Sequence, residues 1–212
     1  MLCSSFPRQP QLKPDRKCAL LNDSSEIPKY LLTAGFHLPC MRVSLFVSMK
    51  SGHAVSISEE LKTFLEGPVS VLIGTRDSRL IPEITRAWGP RVADDLHGVS
   101  LCVPLATSRK SLDNLEANGE IAAVFSLPTD YRTIQLKGRL LATGEPDSMD
   151  LAAVERHHDT FAKINEQHGR TREQVEGFWQ AETQTSPVLV RILFLLRQVF
   201  DQTPGPGAGR SL

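Results

Sequence analysis

The stretch Val99-Ser-Leu-Cys-Val103, followed closely by Ala106-Thr107-Ser108-Arg109-Lys110-Ser111-Leu112, decides how this chain is interpreted. Its apolar first part predicts a buried strand, and the apolar spacing over 108–117 predicts a short amphipathic helix. Hydroxyl groups and two cations therefore stand where a helix begins. Free backbone N–H groups and the helix dipole make such an end suitable for a phosphate. An ordinary helix cap followed by solvated charges explains the same residues equally simply.

The composition is that of a globular protein. The chain has 212 residues, of which 41% are hydrophobic, and its 24 basic residues balance its 24 acidic ones. Zero net charge argues against a nucleic-acid-binding protein or a basic membrane-surface protein. No apolar run reaches the length of a transmembrane helix. The four cysteines lack metal-type spacing and a dense disulfide pattern, so we expect a reducing, cytoplasmic setting.

Residues 1–48 differ from the rest of the chain. They show no sustained helix or strand period, hold three of the four cysteines, and carry six basic and three acidic residues. No secretory signal pattern is present. Our hypothesis is that Met49 is the natural start and that 1–48 come from a misassigned upstream start. A genuine but poorly ordered N-terminal arm is the alternative.

The following part, 49–202, predicts one domain rich in strands. Apolar runs and period-two alternation predict the strands at 69–75, 80–88, 99–103, 120–126, 131–143 and 187–200. Besides the helix at 108–117, further helices are predicted near 56–66, at 148–168 and at 171–181. Strands in hairpin order with few helices predict a mainly β fold, a Greek-key barrel of about six strands with peripheral helices. The Gly/Pro-rich tail, 203–212, is predicted to be flexible.

Local signals refine this outline. Ser56 with Glu59, and Thr171 with Gln174, have the spacing of a capping box at the start of a helix. Gly138, inside the fifth predicted strand, indicates a bulge or sharp bend.

The second predicted strand has two distinct faces. Ile84, Arg86 and Trp88 share one face, and Ala87 lies on the other. Cys102, inside the apolar strand, is predicted to be a buried small hydrophobe.

The order of these elements resembles the FMN-binding split-barrel family, to which pyridoxamine 5′-phosphate oxidase belongs. The residues that carry the resemblance are Ser108-Arg109-Lys110 after the third strand and Arg132-Thr133-Ile-Gln135-Leu-Lys-Gly138 in the fifth. The similarity spans about residues 56–202. It implies a split barrel that forms a homodimer with two FMN sites at the subunit interface.

The resemblance also implies which residues meet the cofactor. The start of the helix would hold the FMN phosphate, chiefly through Arg109 and Lys110. The second strand would line the cofactor, and the fifth would lie near the polar edge of the flavin ring. The full set is Thr107, Ser108, Arg109, Lys110, Arg86, Ala87, Trp88, Thr133 and Gln135.

Two departures separate the chain from the oxidase itself. In the oxidase a glutamine directly follows the arginine of the fifth strand, whereas here Thr133 follows Arg132 and Gln135 comes two residues later. The arginine- and histidine-bearing C-terminal segment that grips the oxidase's substrate phosphate has no counterpart in 200–212. We therefore expect a relative of the oxidase with another substrate.

Three hypotheses remain open at this stage. The first is a cytoplasmic, homodimeric, FMN-dependent oxidoreductase acting on a small-molecule substrate or electron donor that the sequence does not identify. The second is a barrel that binds flavin, haem or deazaflavin without turnover, and the third is a structural dimer with an empty site. We expect no metal site, because the adjacent His157 and His158 of a helix point about 100° apart.

Overall fold

The computed structural model describes residues 55–183 and 188–212. The hypothesis about 1–48 falls outside these residues and stays a prediction. The elements, in chain order, are α1 (Glu59–Leu65), β1 (Ser70–Arg76), β2 (Pro82–Val92), β3 (Gly98–Pro104), α2 (Leu105–Asn118), β4 (Glu120–Ser126), β5 (Thr133–Gly144), α3 (Ser148–Glu166), α4 (Arg172–Thr183), β6 (Leu189–Asp201) and β7 (Arg210–Ser211).

The first six strands form a closed antiparallel barrel. Their order is β3-β2-β1-β4-β5-β6, and β6 also pairs with β3, which closes the ring. β7 adds a short seventh strand outside the barrel. The predicted mainly β fold, with a six-stranded barrel and peripheral helices, is confirmed.

Period-two alternation builds the barrel interior, as the sequence pattern indicated. On each strand the residues of one parity point inward and are buried, while their neighbours point outward. The inward set includes Val71 and Ile73 on β1, Ile121, Ala123 and Phe125 on β4, Ile134 and Leu136 on β5, and Ile192, Phe194 and Leu196 on β6.

The starts of α1 and α2 differ from the sequence prediction, whereas α3 begins at Ser148 as predicted. α2 begins at Leu105 rather than Ser108, because Pro104 supplies the extended backbone of the N-cap without a side-chain hydrogen bond. α1 is capped by Ser58, whose hydroxyl accepts from the Leu61 N–H at 3.2 Å, rather than by Ser56. The backbone before Ser58 still belongs to an extended segment, since the Ile57 N–H donates to the Leu96 carbonyl.

Strand ends differ from the prediction by a few residues. β5 begins at Thr133, two residues late, because Tyr131 lies in a turn with φ of 60°. β2 continues to Val92, four residues past its predicted end. In the tail, residues 210–211 pair with β6 and the Leu212 N–H donates to the Val199 carbonyl at 3.0 Å.

Gly138 allows β5 and β6 to approach each other closely. The register between the two strands shifts at Lys137/Gly138, so the predicted bulge is confirmed. A Cβ at position 138 would overlap the carbonyl oxygen of Leu195 and the ring of Phe194. The Leu195 carbonyl belongs to a strand that is paired on both sides, so moving it would disturb the sheet.

We expect Gly138→Ala to lower the free energy of unfolding by about 2–3 kcal/mol, as overpacking in a dense core does. Gly144→Ala is the matched control on the same strand, because nothing lies within 4 Å of a Cβ there. Urea unfolding of both variants is the measurement. Equal stability of the two variants would contradict the role assigned to Gly138.

Candidate functional site

Three of the residues assigned to the cofactor lie on the outer face of the barrel. Arg86 of β2 is opposite Leu72 of β1, Leu72 is opposite Val124 of β4, and Val124 is opposite Gln135 of β5. Directly opposed residues share a face, so Arg86 and Gln135 lie in one row, about 14 Å apart at three strand spacings. Thr133 belongs to the adjacent row.

Hydrogen bonds order the polar side chains of this face. The Arg86 guanidinium donates to the Ser70 hydroxyl at 3.1 Å, and the hydroxyls of Ser126 and Thr133 are 2.9 Å apart. Gln202 donates its side-chain N–H to Oε1 of Gln135 at 3.3 Å. The side-chain carbonyl of Gln135 is thereby engaged within the chain.

The middle of the same face is apolar. Leu72 is 38% exposed and Ile84 is 67% exposed, and the half-buried Ala122 and Val124 lie beside them. We call these four residues the outer apolar face. A contiguous apolar patch on a soluble domain marks a ligand site or a protein interface more often than ordinary surface.

Side chains on one stripe of α2 attach the helix to β1 and β2. The hydroxyls of Ser108 and Thr85 are 2.9 Å apart in a buried contact, and the Asn114 amide donates to the Thr75 hydroxyl at 3.1 Å. Ser111, between them on the helix, is buried, and its hydroxyl has no hydrogen-bond partner in the part of the chain that the structure describes. In the sequence, the signal for this contact between helix and strands is the three-residue spacing of the small polar residues Ser108, Ser111 and Asn114.

The first turns of α2 offer a mixed set of donors. Thr107 and Arg109 are exposed, and Arg109 has no ion-pair partner within 55–183 and 188–212. Ser108 is buried and its hydroxyl is engaged with Thr85. The Lys110 ammonium lies 2.6 Å from the Glu83 carboxylate at the start of β2.

These donors fit a phosphate. The Leu105 N–H at the start of α2 already donates to the Val188 carbonyl at 2.8 Å, so the N–H groups without an intrahelical acceptor that remain for a ligand are those of Ala106 and Thr107. The guanidinium of Arg109 is suited to two-pronged hydrogen bonding. The three charged side chains Arg109, Lys110 and Glu83 carry a net charge of +1, which favours an anion. Glu83, which sequence reasoning missed, is the one group of the three that opposes it.

The other two assigned residues of β2 are buried. Trp88 is 1% exposed, and its ring is enclosed by α3, with the His157 ring 5.6 Å and the Phe161 ring 6.1 Å away. Ala87 points into the barrel core. Neither side chain is at the surface of this chain, so their contact with a cofactor stays a prediction.

His157 holds α3 over Trp88. Its Nε2–H donates to the Val69 carbonyl at 2.8 Å, and its Nδ1 accepts from the Gly89 N–H at 3.2 Å. Both bonds require the neutral ring, and burial lowers the pKa of His157 from 6.5 to about 4. Gly89 has a φ of 58°, and a Cβ there would overlap Val154 of α3, so this position also needs glycine.

A buried carboxylate anchors the start of α3. Asp150 pairs with Arg91 of β2 and Arg191 of β6, and accepts a hydrogen bond from the Ser100 hydroxyl at 3.1 Å. Cys102 lies nearby as a free, buried thiol, which confirms the sequence prediction for it. Burial raises the pKa of the Cys102 thiol to about 12, so the thiol is unreactive at neutral pH.

Within 55–183 and 188–212, no group of three or more His, Cys, Asp or Glu side chains could hold a metal ion. Among the helices of those residues, none combines the length and the apolar character needed to cross a bilayer.

Comparison with known proteins yields similar solved structures. Neither a family model nor a curated protein matches the chain. An F420 reductase is 15% identical, over 68% of this chain and 98% of that one, with a TM-score of 0.45. A putative pyridoxamine 5′-phosphate oxidase from Lactobacillus delbrueckii is 14% identical, over 68% and 93%, with a TM-score of 0.42. An FMN-binding protein from Syntrophomonas wolfei is 13% identical, over 65% and 80%, with a TM-score of 0.42.

The resemblance to the FMN-binding split-barrel family that the sequence indicated thus extends to solved structures.

We predict that His157 makes stability fall in mild acid. The unfolded chain takes up a proton near pH 6.5, whereas the folded ring resists protonation down to about 4. The stability that the neutral ring contributes is therefore complete above pH 6.5 and is lost as the pH falls toward 4. Between about pH 7.5 and about pH 4.5, wild type should lose about 2–3 kcal/mol more than His157→Gln, which does not titrate. Urea unfolding of both proteins at both pH values measures this difference. Equal losses of unfolding free energy in wild type and His157→Gln would contradict the prediction.

Proposed function

We propose that this protein is a homodimeric, FMN-binding oxidoreductase with a small-molecule substrate or electron donor. One observation supports the site above all. The Ser108–Thr85 hydrogen bond and the Lys110–Glu83 ion pair attach the Ser-Arg-Lys segment of α2 to β2, the strand that carries Arg86. Thr85 and Ser108, 23 residues apart in sequence, are in contact, so two segments that resemble parts of one cofactor site are neighbours in the fold.

In this proposal the chain divides the binding of FMN between two regions. Arg109, Lys110 and Thr107, together with the N–H groups of Ala106 and Thr107 in the first turn of α2, bind the phosphate. Arg86 and Gln135 flank the outer apolar face, which suits a flat ring system because burial of apolar surface stabilises binding. Bound flavin would supply hydride-transfer chemistry, which the side chains of the protein cannot perform.

Electrostatics on the outer face would favour the reduced, anionic form of a flavin. The Gln135 NH₂ group is available as a donor, and Lys137 lies on the same face with its Nζ 4.8 Å from the Phe200 ring centre. Fixed donors and positive charges stabilise negative charge most strongly where water is excluded. His157 and Cys102, whose pKa values are strongly shifted by burial, lie elsewhere in the fold, and hydride transfer needs neither.

A second copy of the chain would exclude that water. The outer apolar face includes Ile84 at 67% exposure and Leu72 at 38%, and a two-fold interface would place the same patch on both partners. The free thiol of Cys102 agrees with the reducing, cytoplasmic setting that forms part of this proposal.

Titration of the full chain with FMN and riboflavin tests the phosphate site. Arg109→Ala should weaken FMN binding by about 10- to 100-fold, the value of a charge-assisted hydrogen bond, and leave riboflavin binding within about twofold. Arg156→Ala, an exposed arginine of α3, is the control and should change neither affinity. A wild-type protein that takes up no flavin would refute the proposal. Reduction of bound flavin by a nicotinamide cofactor would separate an oxidoreductase from a flavin carrier.

Sedimentation of a second variant tests the dimer. Ile84→Glu places a charge on the outer apolar face, so the dimer should weaken by at least about tenfold and bound FMN should be lost with it. Leu151→Glu alters a leucine of α3 that is 49% exposed and should leave the dimer intact. A monomeric wild type, or a dimer indifferent to Ile84→Glu, would rule out this interface.

A further inference from the structure

One of the two cations proposed to hold the phosphate already has a partner within the chain. The Lys110 Nζ lies 2.6 Å from Oε2 of Glu83. We propose that Glu83 competes with the ligand's phosphate for Lys110, and so limits how strongly the site prefers a phosphorylated flavin to an unphosphorylated one. This inference rests on the proposed function and assigns Glu83 a role in specificity.

The buried contact beside the pair holds both partners in place. Glu83 and Thr85 are two residues apart on β2, and Lys110 and Ser108 are two residues apart on α2. The Thr85–Ser108 hydrogen bond is fully enclosed, so it fixes the position of helix against strand. The register of β2 against β1, with Glu83 opposite Thr75, fixes the carboxylate further. The fold therefore holds the backbone positions of Lys110 and Glu83 close enough for their side chains to pair.

The charges decide the direction of the effect. A phosphate monoester carries between one and two negative charges at neutral pH. With Glu83 ionised, Arg109, Lys110 and Glu83 sum to +1, and without the carboxylate they would sum to +2. Glu83 therefore acts in two ways. It forms an ion pair with the Lys110 ammonium, and its negative charge repels the incoming phosphate.

The size of the effect is moderate, because the pair is partly solvated. The Lys110 side chain is 57% exposed and the Glu83 side chain is 30% exposed, so the ion pair itself is weak and Lys110 can exchange partners. Glu83 therefore lowers the affinity of the site for a phosphate but does not prevent the phosphate from binding. Riboflavin lacks the phosphate, so its binding should not depend on the ion pair between Glu83 and Lys110.

Binding measurements on the full chain test this inference with FMN, riboflavin and inorganic phosphate. Glu83→Gln should tighten the binding of FMN and of phosphate by about five- to tenfold and leave riboflavin within about twofold. In a Lys110→Met background the gain should shrink, because no ammonium is released. Glu120→Gln is the matched control, since it removes the same charge from a similar pair with Arg139 at 3.1 Å. Unchanged urea midpoints would show that the variants are folded.

The outcomes separate the inference from the proposed function. If FMN binds and Glu83→Gln has no more effect than Glu120→Gln, the competition is refuted and the flavin site stands. If no flavin binds but Glu83→Gln tightens phosphate, the competition stands and the flavin assignment falls. If neither wild type nor Glu83→Gln binds either ligand, both are refuted.

Discussion

Closure of the barrel by β6 is the constraint on which the other features depend. β6 pairs with β5 along one edge and with β3 along the other, and the missing side chain of Gly138 leaves room for the close approach of β5 and β6 at their register shift. A closed barrel has no free edges and one filled interior, so apolar side chains on its outer surface can be buried only by elements that pack outside the barrel. The functional surface is what that covering leaves exposed.

α3 covers one side of the barrel. Its buried polar side chains are used to hold the helix in place and are not available to a ligand. His157 is buried as a neutral ring between two backbone groups, and Asp150 is buried between Arg91 and Arg191. A buried polar group without a partner would cost about 1–3 kcal/mol, so both are fully committed to structure. Trp88 lies under the same helix. Among the outward side chains of the other strands, Leu72 of β1 is 38% exposed, and Val124 of β4 and Gln135 of β5 are half-buried.

Local patterns in the sequence predicted the parts of the structure that local physics determines. Period-two alternation located the strands, and the Thr171–Gln174 capping box forms with both hydrogen bonds, at 3.2 and 3.0 Å. Non-local packing could not be predicted in this way. The alternation on β2 shows that Trp88 points out of the barrel, but no local signal says that a helix about 70 residues later covers it. The early start of α2 depends likewise on the extended backbone at Pro104, which carries no capping side chain.

The candidate site shows how a buried contact can orient exposed charges. Ser108 cannot both bond Thr85 in the interior and serve a ligand outside, so its hydroxyl contributes to position rather than to binding. Successive helical residues point about 100° apart. Fixing Ser108 inward therefore directs Arg109 and Lys110 outward on either side of it, one toward solvent and the other toward Glu83. The Ser-Arg-Lys segment is then a positioning hydroxyl followed by two unequal cations, and the difference between the cations comes from β2 rather than from the helix itself.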